Sequence, residues 1–260
     1  MLSATLVGTA RHPRLTLGGA VAVAASLVGL QLLAPSDSNT RYAIPAVLSL
    51  LGLASAGMAL VALTRPRPAA FVVDADAPAF RALPHPGHVY SAATAVFMTA
   101  TEATFRVILP DADRDTAFDD PGWRVMTGTF GLLTIVLGVL TVPLIAAVWR
   151  DVGVQLRPSG LVDRSALGTV TVPWDALSAS SLPPTTPSAT SVRLTYARPE
   201  LVRVRGLPFS RRRIRTDGVN ALFLVHAINH YLMHPQRRQA IGTEAEYGDL
   251  LSALHGARLP

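Results

Sequence analysis

Long uncharged apolar runs fill most of the first half of the chain. Residues 15–34, 42–64 and 125–149 each contain 20 or more residues without a charged side chain. A helix rises about 1.5 Å per residue, so each run is long enough to cross the roughly 30 Å hydrocarbon core of a bilayer. Arg11 and Arg14 before the first run would also suit a signal peptide, but the apolar stretch is longer than usual for one. The pattern predicts three membrane-spanning helices.

Hydropathy alone does not decide whether a fourth apolar stretch, residues 90–109, crosses the membrane. It carries Glu102 and Arg106, and a charge at the bilayer centre costs about 2.5 kcal/mol or more. The two side chains are four residues apart, on one face of a helix, where they can neutralise each other. One interpretation is a structural ion pair; the other is a proton or ion relay inside the membrane.

The arginines that flank the apolar runs decide the number of crossings. Three flanking groups lie close to the ends of the runs: Arg11 and Arg14, Arg65 and Arg67, and Arg150. By the positive-inside rule all of these flanks face the cytoplasm, which requires an even number of crossings. Residues 90–109 are therefore predicted to cross as well. The sequence predicts a transmembrane domain over residues 1–149, in the cell inner (plasma) membrane, with both chain termini in the cytoplasm.

After Arg150 the apolar positions recur at every second residue, the period of half-buried β-strands. Five strands are predicted, at residues 152–157, 161–164, 169–174, 192–196 and 201–205. A loop rich in Ser, Pro and Thr, residues 178–188, separates the third strand from the fourth. Upstream, the proline-rich stretch 65–88 is predicted to be an irregular connection with one short strand at 71–73. Short strands separated by turn residues are typical of a small antiparallel sheet or barrel.

The last predicted element is a helix over residues 218–233, with Asp217 as its N-cap and its end at the His234-Pro235 step. At about 100° per residue its inward stripe consists of Ala221, Leu224, Val225, Ile228, Tyr231 and Leu232. The opposite face carries His226, His230 and His234, which are weak candidates for a zinc or nickel site. Because neither cysteine nor an obvious carboxylate on this helix completes a ligand set, a solvated polar face is preferred and no metal is predicted.

Composition supports a membrane protein and excludes several kinds of site. The mean hydropathy is +0.36 and 15% of the residues are charged, against roughly 25% in an ordinary soluble domain. The chain has no cysteine, which excludes disulfides and a cysteine nucleophile, and its 23 basic residues are all arginines, which excludes lysine chemistry. Hydrolase, zinc-protease, P-loop and dinucleotide motifs are missing from the sequence, so neither an enzyme activity nor a cofactor is predicted.

The net charge is distributed unevenly along the chain. Residues 1–149 are neutral overall, whereas residues 150–260 hold the entire net charge of +6. Six arginines concentrate before the last helix: Arg203, Arg205, Arg211, Arg212, Arg213 and Arg215. Such a cluster indicates binding of anionic lipid or of a partner, or a basic patch that merely follows the positive-inside rule. Nucleic acid is not predicted as a partner, because no aromatic residues are interleaved with these arginines.

Several short motifs carry a resemblance to a known class of proteins. In chain order they are Val154-Gln155-Leu156, Ser159-Gly160-Leu161, Val170 to Asp175, Tyr231 to Pro235, Arg238 and Ile241-Gly242. After about four membrane helices, this series resembles actinobacterial multi-pass membrane proteins with a C-terminal bacterial PH-like domain. The resemblance implies an α+β membrane protein. A helical transmembrane bundle would precede a small antiparallel β domain at residues 150–250, capped by a C-terminal helix and followed by a tail at 251–260.

Together these features predict an integral membrane protein whose cytoplasmic PH-like domain mediates protein assembly or regulation at the membrane, as a non-catalytic scaffold. The predicted partners are the lipid bilayer, a protein or second copy bound through the PH-like domain, and anionic lipid. The alternative is a small transporter or sensor that uses Glu102 and Arg106, with the PH-like domain as its regulator.

Overall fold

The computed structural model of the chain describes residue 9 and residues 12–33, 40–74, 77–108, 121–150, 152–178, 185–207 and 210–256. It shows an α+β protein with two compact units. The helical unit comprises Met1–Thr64 and Pro86–Val148, and the sheet unit comprises Arg65–His85 and Trp149–Pro260. The second segment of the sheet unit begins at Trp149, and its first segment, 65–85, precedes the third long helix.

Four long helices coincide with the four apolar stretches of the sequence. They are α1 (Pro13–Leu33), α2 (Thr40–Thr64), α3 (Pro86–Ile108) and α4 (Pro121–Trp149). By length and composition, Pro13–Leu33 and Tyr42–Thr64 could each cross a membrane. Large apolar side chains lie exposed on two of the helices: Leu50, Leu53, Leu60, Leu132, Ile135, Val139 and Val142. Apolar exposure on this scale is unusual for the surface of a soluble protein.

Buried contacts fix the relative directions of the four helices. Leu17 near the start of α1 clusters with Val89 at the start of α3 and with Val148 at the end of α4. Ala62, near the end of α2, clusters with Tyr90 of α3. Consecutive helices therefore run in opposite directions, and the start of α1, the end of α2, the start of α3 and the end of α4 lie together.

Eight short strands lie within the described residues of the sheet unit. They are β1 (Phe71–Asp74), β2 (Ala79–Ala82), β3 (Gly153–Arg157), β4 (Gly160–Arg164), β5 (Gly168–Pro173), β6 (Ser191–Arg193), β7 (Arg203–Gly206) and β8 (Arg213–Arg215). All pairings are antiparallel. One sheet has the strand order β1-β2-β3-β4-β5-β7, and the other is the two-stranded ribbon β6-β8. The predicted short strand near 71–73 and the five strands after Arg150 are confirmed, with shifted ends, whereas β2 and β8 were not predicted.

The hairpin β1-β2 replaces most of the irregular connection expected before α3. Phe80 is fully buried and its ring stacks on Phe71 at 6.4 Å between centroids. Strand β2 pairs with β3 through Phe80 opposite Leu156. Upstream of the hairpin, the Arg67 guanidinium donates to the carbonyls of Ser188 at 2.9 Å and Ala189 at 3.1 Å. Burial of two phenylalanine rings therefore recruits this segment into the sheet unit despite its flanking prolines.

Helix α5 (Ala221–Met233) packs on the sheet and begins three residues later than predicted. Its N-cap is Asn220 rather than Asp217, because the Asn220 side chain accepts hydrogen bonds from the Leu222 and Phe223 amides at 3.0 and 3.2 Å. Gly218 lies before the helix, where a methyl group would sit only 1.7 Å from the Leu83 carbonyl oxygen. The end at Met233 and the burial of Ala221, Leu224, Ile228 and Tyr231 agree with the prediction.

A further helix, α6 (Glu244–Gly256), begins within the predicted domain and extends into the stretch 251–260 that was expected to be a tail. Leu250 and Leu254 on this helix belong to the buried core of the sheet unit. The Tyr231 hydroxyl donates to Glu246 at 3.1 Å, and Arg237 lies 3.6 Å from the same carboxylate. The unit therefore continues beyond residue 250, because the apolar positions of α6 complete its core.

Candidate functional site

An open groove lies on the outer face of the six-stranded sheet, across β3, β4, β5 and β7. Its volume is about 680 Å³. Five arginines line it: Arg150, Arg157, Arg164, Arg203 and Arg205. Among the described residues that line this arginine groove, none is acidic. A concave surface with five cations and no neighbouring carboxylate in its lining attracts anions.

The strand register explains why arginines from distant parts of the sequence meet there. Arg164 lies opposite Thr169, and Thr169 lies opposite Arg205 on the next strand. Neighbouring strands are about 4.8 Å apart, so the backbones of Arg164 and Arg205 are separated by about 10 Å. Arg203 projects from the same face of β7, because side chains two residues apart point the same way. The intervening Val204 packs against the core instead.

The arginines of the groove differ in how they are held. Arg157 donates to the Gln155 side-chain oxygen at 2.8 and 3.2 Å, and Arg150 donates to the Ala166 carbonyl at 2.9 Å. Within the described part of the chain, no hydrogen bond or ion pair engages the guanidinium groups of Arg164, Arg203 or Arg205. These three guanidinium groups therefore remain available to a ligand.

Electrostatic repulsion within the groove acts most clearly on Arg157. Partial burial lowers the pKa of its guanidinium, and the neighbouring cations Arg164 and Arg81 lower that pKa further. Like charges near one another repel, which disfavours the charged form of each. A bound anion would offset the repulsion between them.

Hydroxyl groups supplement the arginines along the groove. Ser159, Ser165, Thr169 and Thr171 line it. The Ser165 hydroxyl donates to the Gly168 carbonyl at 2.8 Å, which leaves the other three without a described side-chain partner. Planar guanidinium forks with nearby hydroxyl donors match the oxygen atoms of phosphate and carboxylate groups.

Five of the six arginines in the predicted cluster lie at two places in the sheet unit. Arg203 and Arg205 lie in the arginine groove, as their shared strand face predicts. Arg211, Arg212 and Arg213 are exposed beside or on the ribbon β6-β8, where Arg213 lies directly opposite Arg193. We call Arg193, Arg211, Arg212 and Arg213 the ribbon arginines. The groove arginines and the ribbon arginines thus lie at two different sheets, and the expected electropositive edge stays a prediction.

Arg215 has a structural environment rather than a ligand-facing one. Its guanidinium lies 3.5 Å from the Asp217 carboxylate and donates to the Arg164 carbonyl at 3.3 Å. Its backbone amide donates to Asp163 at 3.3 Å. Asp163 itself is buried, and burial raises the pKa of its carboxyl group. Arg215 thus joins β8 to β4 inside the unit.

Sequence reasoning missed Arg150, Arg157 and Arg164 as members of the site. Arg157 and Arg164 occupy outward positions of β3 and β4. The positions of the apolar residues in the sequence already indicate that these two arginines face away from the core. The pairing of β5 with β7 was the missing information, because it carries Arg203 and Arg205 to the same face.

The three histidines do not assemble a metal site. Among the described residues, no group of three or more His, Asp or Glu side chains has an arrangement that could hold a metal ion. The rings of His230 and His234 lie 4.7 Å apart between centroids, and burial lowers the pKa of His230. His226 lies one turn earlier on α5 and is half-buried.

Of the predicted pair Glu102 and Arg106, the side chain of one partner only is described. Glu102 lies on α3 and is 6% exposed, beside the buried Thr101 and Thr104. The side chain of Arg106 lies outside the described residues, so a Glu102–Arg106 contact stays a prediction.

Comparison with known proteins finds no matching family model, no matching curated protein and no matching solved structure.

Proposed function

We propose that this chain is a multi-pass protein of the bacterial inner (plasma) membrane, whose cytoplasmic PH-like unit is a non-catalytic adaptor for an anionic partner. The observation that carries the proposal is the arginine groove. Arginine stays protonated at neutral pH, so these side chains bind and orient anions rather than transfer protons. The unit would thereby mediate assembly or regulation at the membrane surface.

Strand pairing across the helical unit supports a four-crossing topology. Strand β2 precedes α3 and β3 follows α4, yet the two strands pair within one sheet. Residues 86–148 must therefore begin and end on the same side of a membrane. If α4 crosses, α3 crosses too, despite Glu102. The exposed apolar side chains of α2 and α4 favour lipid around the helices.

The flanking arginines support a cytoplasmic location for the sheet unit. Arg65 and Arg67 follow α2 and Arg150 follows α4. Basic residues next to membrane helices are retained on the cytoplasmic side. Both chain termini would then also lie in the cytoplasm.

A PH-like assignment for the sheet unit draws support from its layers. Two antiparallel sheets enclose a core on which α5 packs after the last strand. This order of strands followed by a helix matches what the sequence resemblance implies. Two elements are additional to the strands and the helix that the resemblance implies. They are the hairpin β1-β2, from the segment before α3, and the helix α6.

Membrane topology can be tested directly because the chain contains no cysteine. Single cysteines are introduced at Ser38, between α1 and α2, and at Ser252, which is exposed on α6. A membrane-impermeant maleimide added to intact cells should label Ser38→Cys, whereas Ser252→Cys should be labelled only after lysis. Labelling of Ser252→Cys in intact cells would contradict the cytoplasmic location.

The adaptor role is tested by co-purification from the membranes of cells that produce the protein naturally. The groove variant Arg164→Gln/Arg203→Gln/Arg205→Gln removes three charges from the arginine groove. The ribbon variant Arg193→Gln/Arg211→Gln/Arg213→Gln removes the same charge from the other surface and serves as the matched control. Mass spectrometry should find an anionic molecule, protein or lipid, that only the groove variant loses. If all three proteins retain the same molecules, the adaptor proposal is wrong.

The second candidate, a small transporter or sensor, is favoured by the burial of Glu102 beside Thr101 and Thr104. Ionisable residues inside a membrane commonly belong to ion pathways. If Glu102 belongs to such a pathway, Glu102→Gln should abolish proton-dependent uptake of solute into vesicles that contain the reconstituted protein, while the protein stays folded. An unchanged response of the vesicles to an imposed pH gradient would leave the adaptor as the better description.

A further inference from the structure

We propose that the arginine groove binds a phosphate group and that its source is the headgroup of an anionic phospholipid in the protein's own membrane. This inference rests on the proposed function and narrows the anionic partner to one chemical class. Four kinds of observation support it: the free guanidinium groups, the volume of the groove, its place in the chain, and the repulsion inside it.

The donors in the groove suit a phosphodiester. Arg164 on β4 and Arg203 and Arg205 on β7 lie on either side of β5, and their guanidinium groups have no described side-chain partner. Thr169 and Thr171 add hydroxyl groups between them. A guanidinium group can donate two parallel hydrogen bonds to two phosphate oxygens, which gives both affinity and orientation.

The volume of the groove indicates a ligand larger than an isolated ion. At about 680 Å³, it falls within the range of about 300–1,000 Å³ typical of sites for small organic molecules. The groove is open rather than enclosed, so a headgroup could enter while its acyl chains remain outside. A phosphate with an attached polar alcohol fits this description better than inorganic phosphate alone.

The position of the groove in the chain points to lipid as the source of the phosphate. Trp149, the last residue of α4, and Arg150 both belong to its lining. A residue that directly follows a membrane-spanning helix lies at the level of the headgroups, where tryptophan is also enriched. Phospholipid phosphate is therefore the most concentrated anion available at this point of the chain.

Repulsion between the cations gives the anion a further role. Burial is the main cause of the lowered pKa of Arg157, and the positive charges of Arg164 and Arg81 lower that pKa further, against the opposing effect of Asp74. A phosphate between β4 and β7 would neutralise part of this charge. By contrast, the ribbon arginines are exposed on a two-stranded ribbon, and none of them lines the groove.

The test uses the full-length protein in neutral detergent, titrated with short-chain phosphatidylglycerol and, separately, with phosphatidylcholine. Native mass spectrometry measures the apparent affinity of each lipid. The wild type and the ribbon variant should bind phosphatidylglycerol equally, whereas the groove variant should bind it at least about tenfold more weakly. Phosphatidylcholine should bind weakly to all three. Equal weakening in both variants would indicate general surface attraction and would overturn the proposal.

A third variant distinguishes the contribution of the paired guanidinium donors from the contribution of positive charge alone. Arg164→Lys/Arg203→Lys/Arg205→Lys keeps all three charges but loses the paired donors. We expect it to bind phosphatidylglycerol more weakly than the wild type and more tightly than the groove variant. Affinity equal to the wild type would refute recognition of phosphate by the forks. Matching circular dichroism spectra and melting temperatures confirm that all variants are folded.

Two soluble probes distinguish the sources of the phosphate. Inorganic phosphate and glycerol 3-phosphate are each added as competitors of phosphatidylglycerol. Weak competition by both supports the headgroup, whereas competition at the affinity of the lipid itself would overturn the lipid source. The lipid inference can also be wrong while the adaptor proposal is right. If native membranes yield a protein that depends on the groove but the groove variant binds phosphatidylglycerol normally, only the lipid inference is wrong.

Discussion

Replacing Phe80 with alanine tests whether the hairpin before α3 is an integral part of the sheet unit. Phe80 is fully buried, its ring lies 6.4 Å from that of Phe71 and 5.4 Å from that of Tyr247, and its backbone pairs with Leu156. Removing a fully buried phenylalanine ring leaves a cavity and costs about 4 kcal/mol. This is a large fraction of the roughly 5–15 kcal/mol that stabilises a typical domain. We therefore expect the melting temperature of the sheet unit to fall by about 12 °C.

The assay follows Trp174, which is 4% exposed in the same core. All proteins carry Trp123→Phe and Trp149→Phe, so that Trp174 is the remaining tryptophan and its fluorescence reports the sheet unit on heating. The matched control is Val72→Ala, on the same hairpin but 45% exposed, which should change stability by less than about 0.5 kcal/mol. If Phe80→Ala melts within about 2 °C of its parent, the hairpin does not belong to the core and the reasoning fails.

Three further substitutions probe the sheet unit, each followed by thermal melting of the full-length protein in detergent. Burial raises the pKa of Asp163, so its proton is bound more tightly in the folded than in the unfolded state. Stability at this site should rise as the pH falls from 7 through the folded pKa toward the usual value of about 4, and Asp163→Asn should remove that rise. Asn220→Ala should cost about 1 kcal/mol by removing the N-cap, whereas Asn220→Asp should be nearly neutral; an equal loss in both would exclude capping. Tyr231→Phe should cost about 2 kcal/mol by removing a hydrogen bond to the buried Glu246 carboxylate, and an unchanged melting temperature would show that this bond contributes little.

The helices and the central strands were predictable because their signals are local. An uncharged run of 20 or more residues specifies a long helix without information from elsewhere in the chain. Apolar and polar residues alternate along β3 and β5, so Val154, Leu156 and Val170 could be placed in the core. Strand β8 was missed because it offers one apolar residue, Ile214, between two arginines. Ile214 becomes buried only by pairing with Val192 of β6.

The candidate site was predictable only in part, because it depends on register. Arg203 and Arg205 were identified from their density in the sequence, together with arginines that the structure places on another surface. Arg150 and Arg157 are separated from them by some 50 residues, and only the strand order brings the two groups together. Gln155 shows the same limit. It occupies an outward position of β3 yet is fully buried, since β2 lies beside it.

The insertion of α3 and α4 between two parts of one sheet has a consequence for biosynthesis. The hairpin β1-β2 leaves the ribosome about 70 residues before its neighbour β3, a delay of about 4–15 s at ordinary elongation rates. Throughout that delay Phe71 and Phe80 lack most of the core that finally buries them. The sheet can close only after both intervening helices have been made and their far end has returned to the side of the hairpin. In the proposed topology, closure of the sheet would therefore report that this pair of helices has been inserted correctly. A chain arrested before that point would display two aromatic rings to chaperones and proteases.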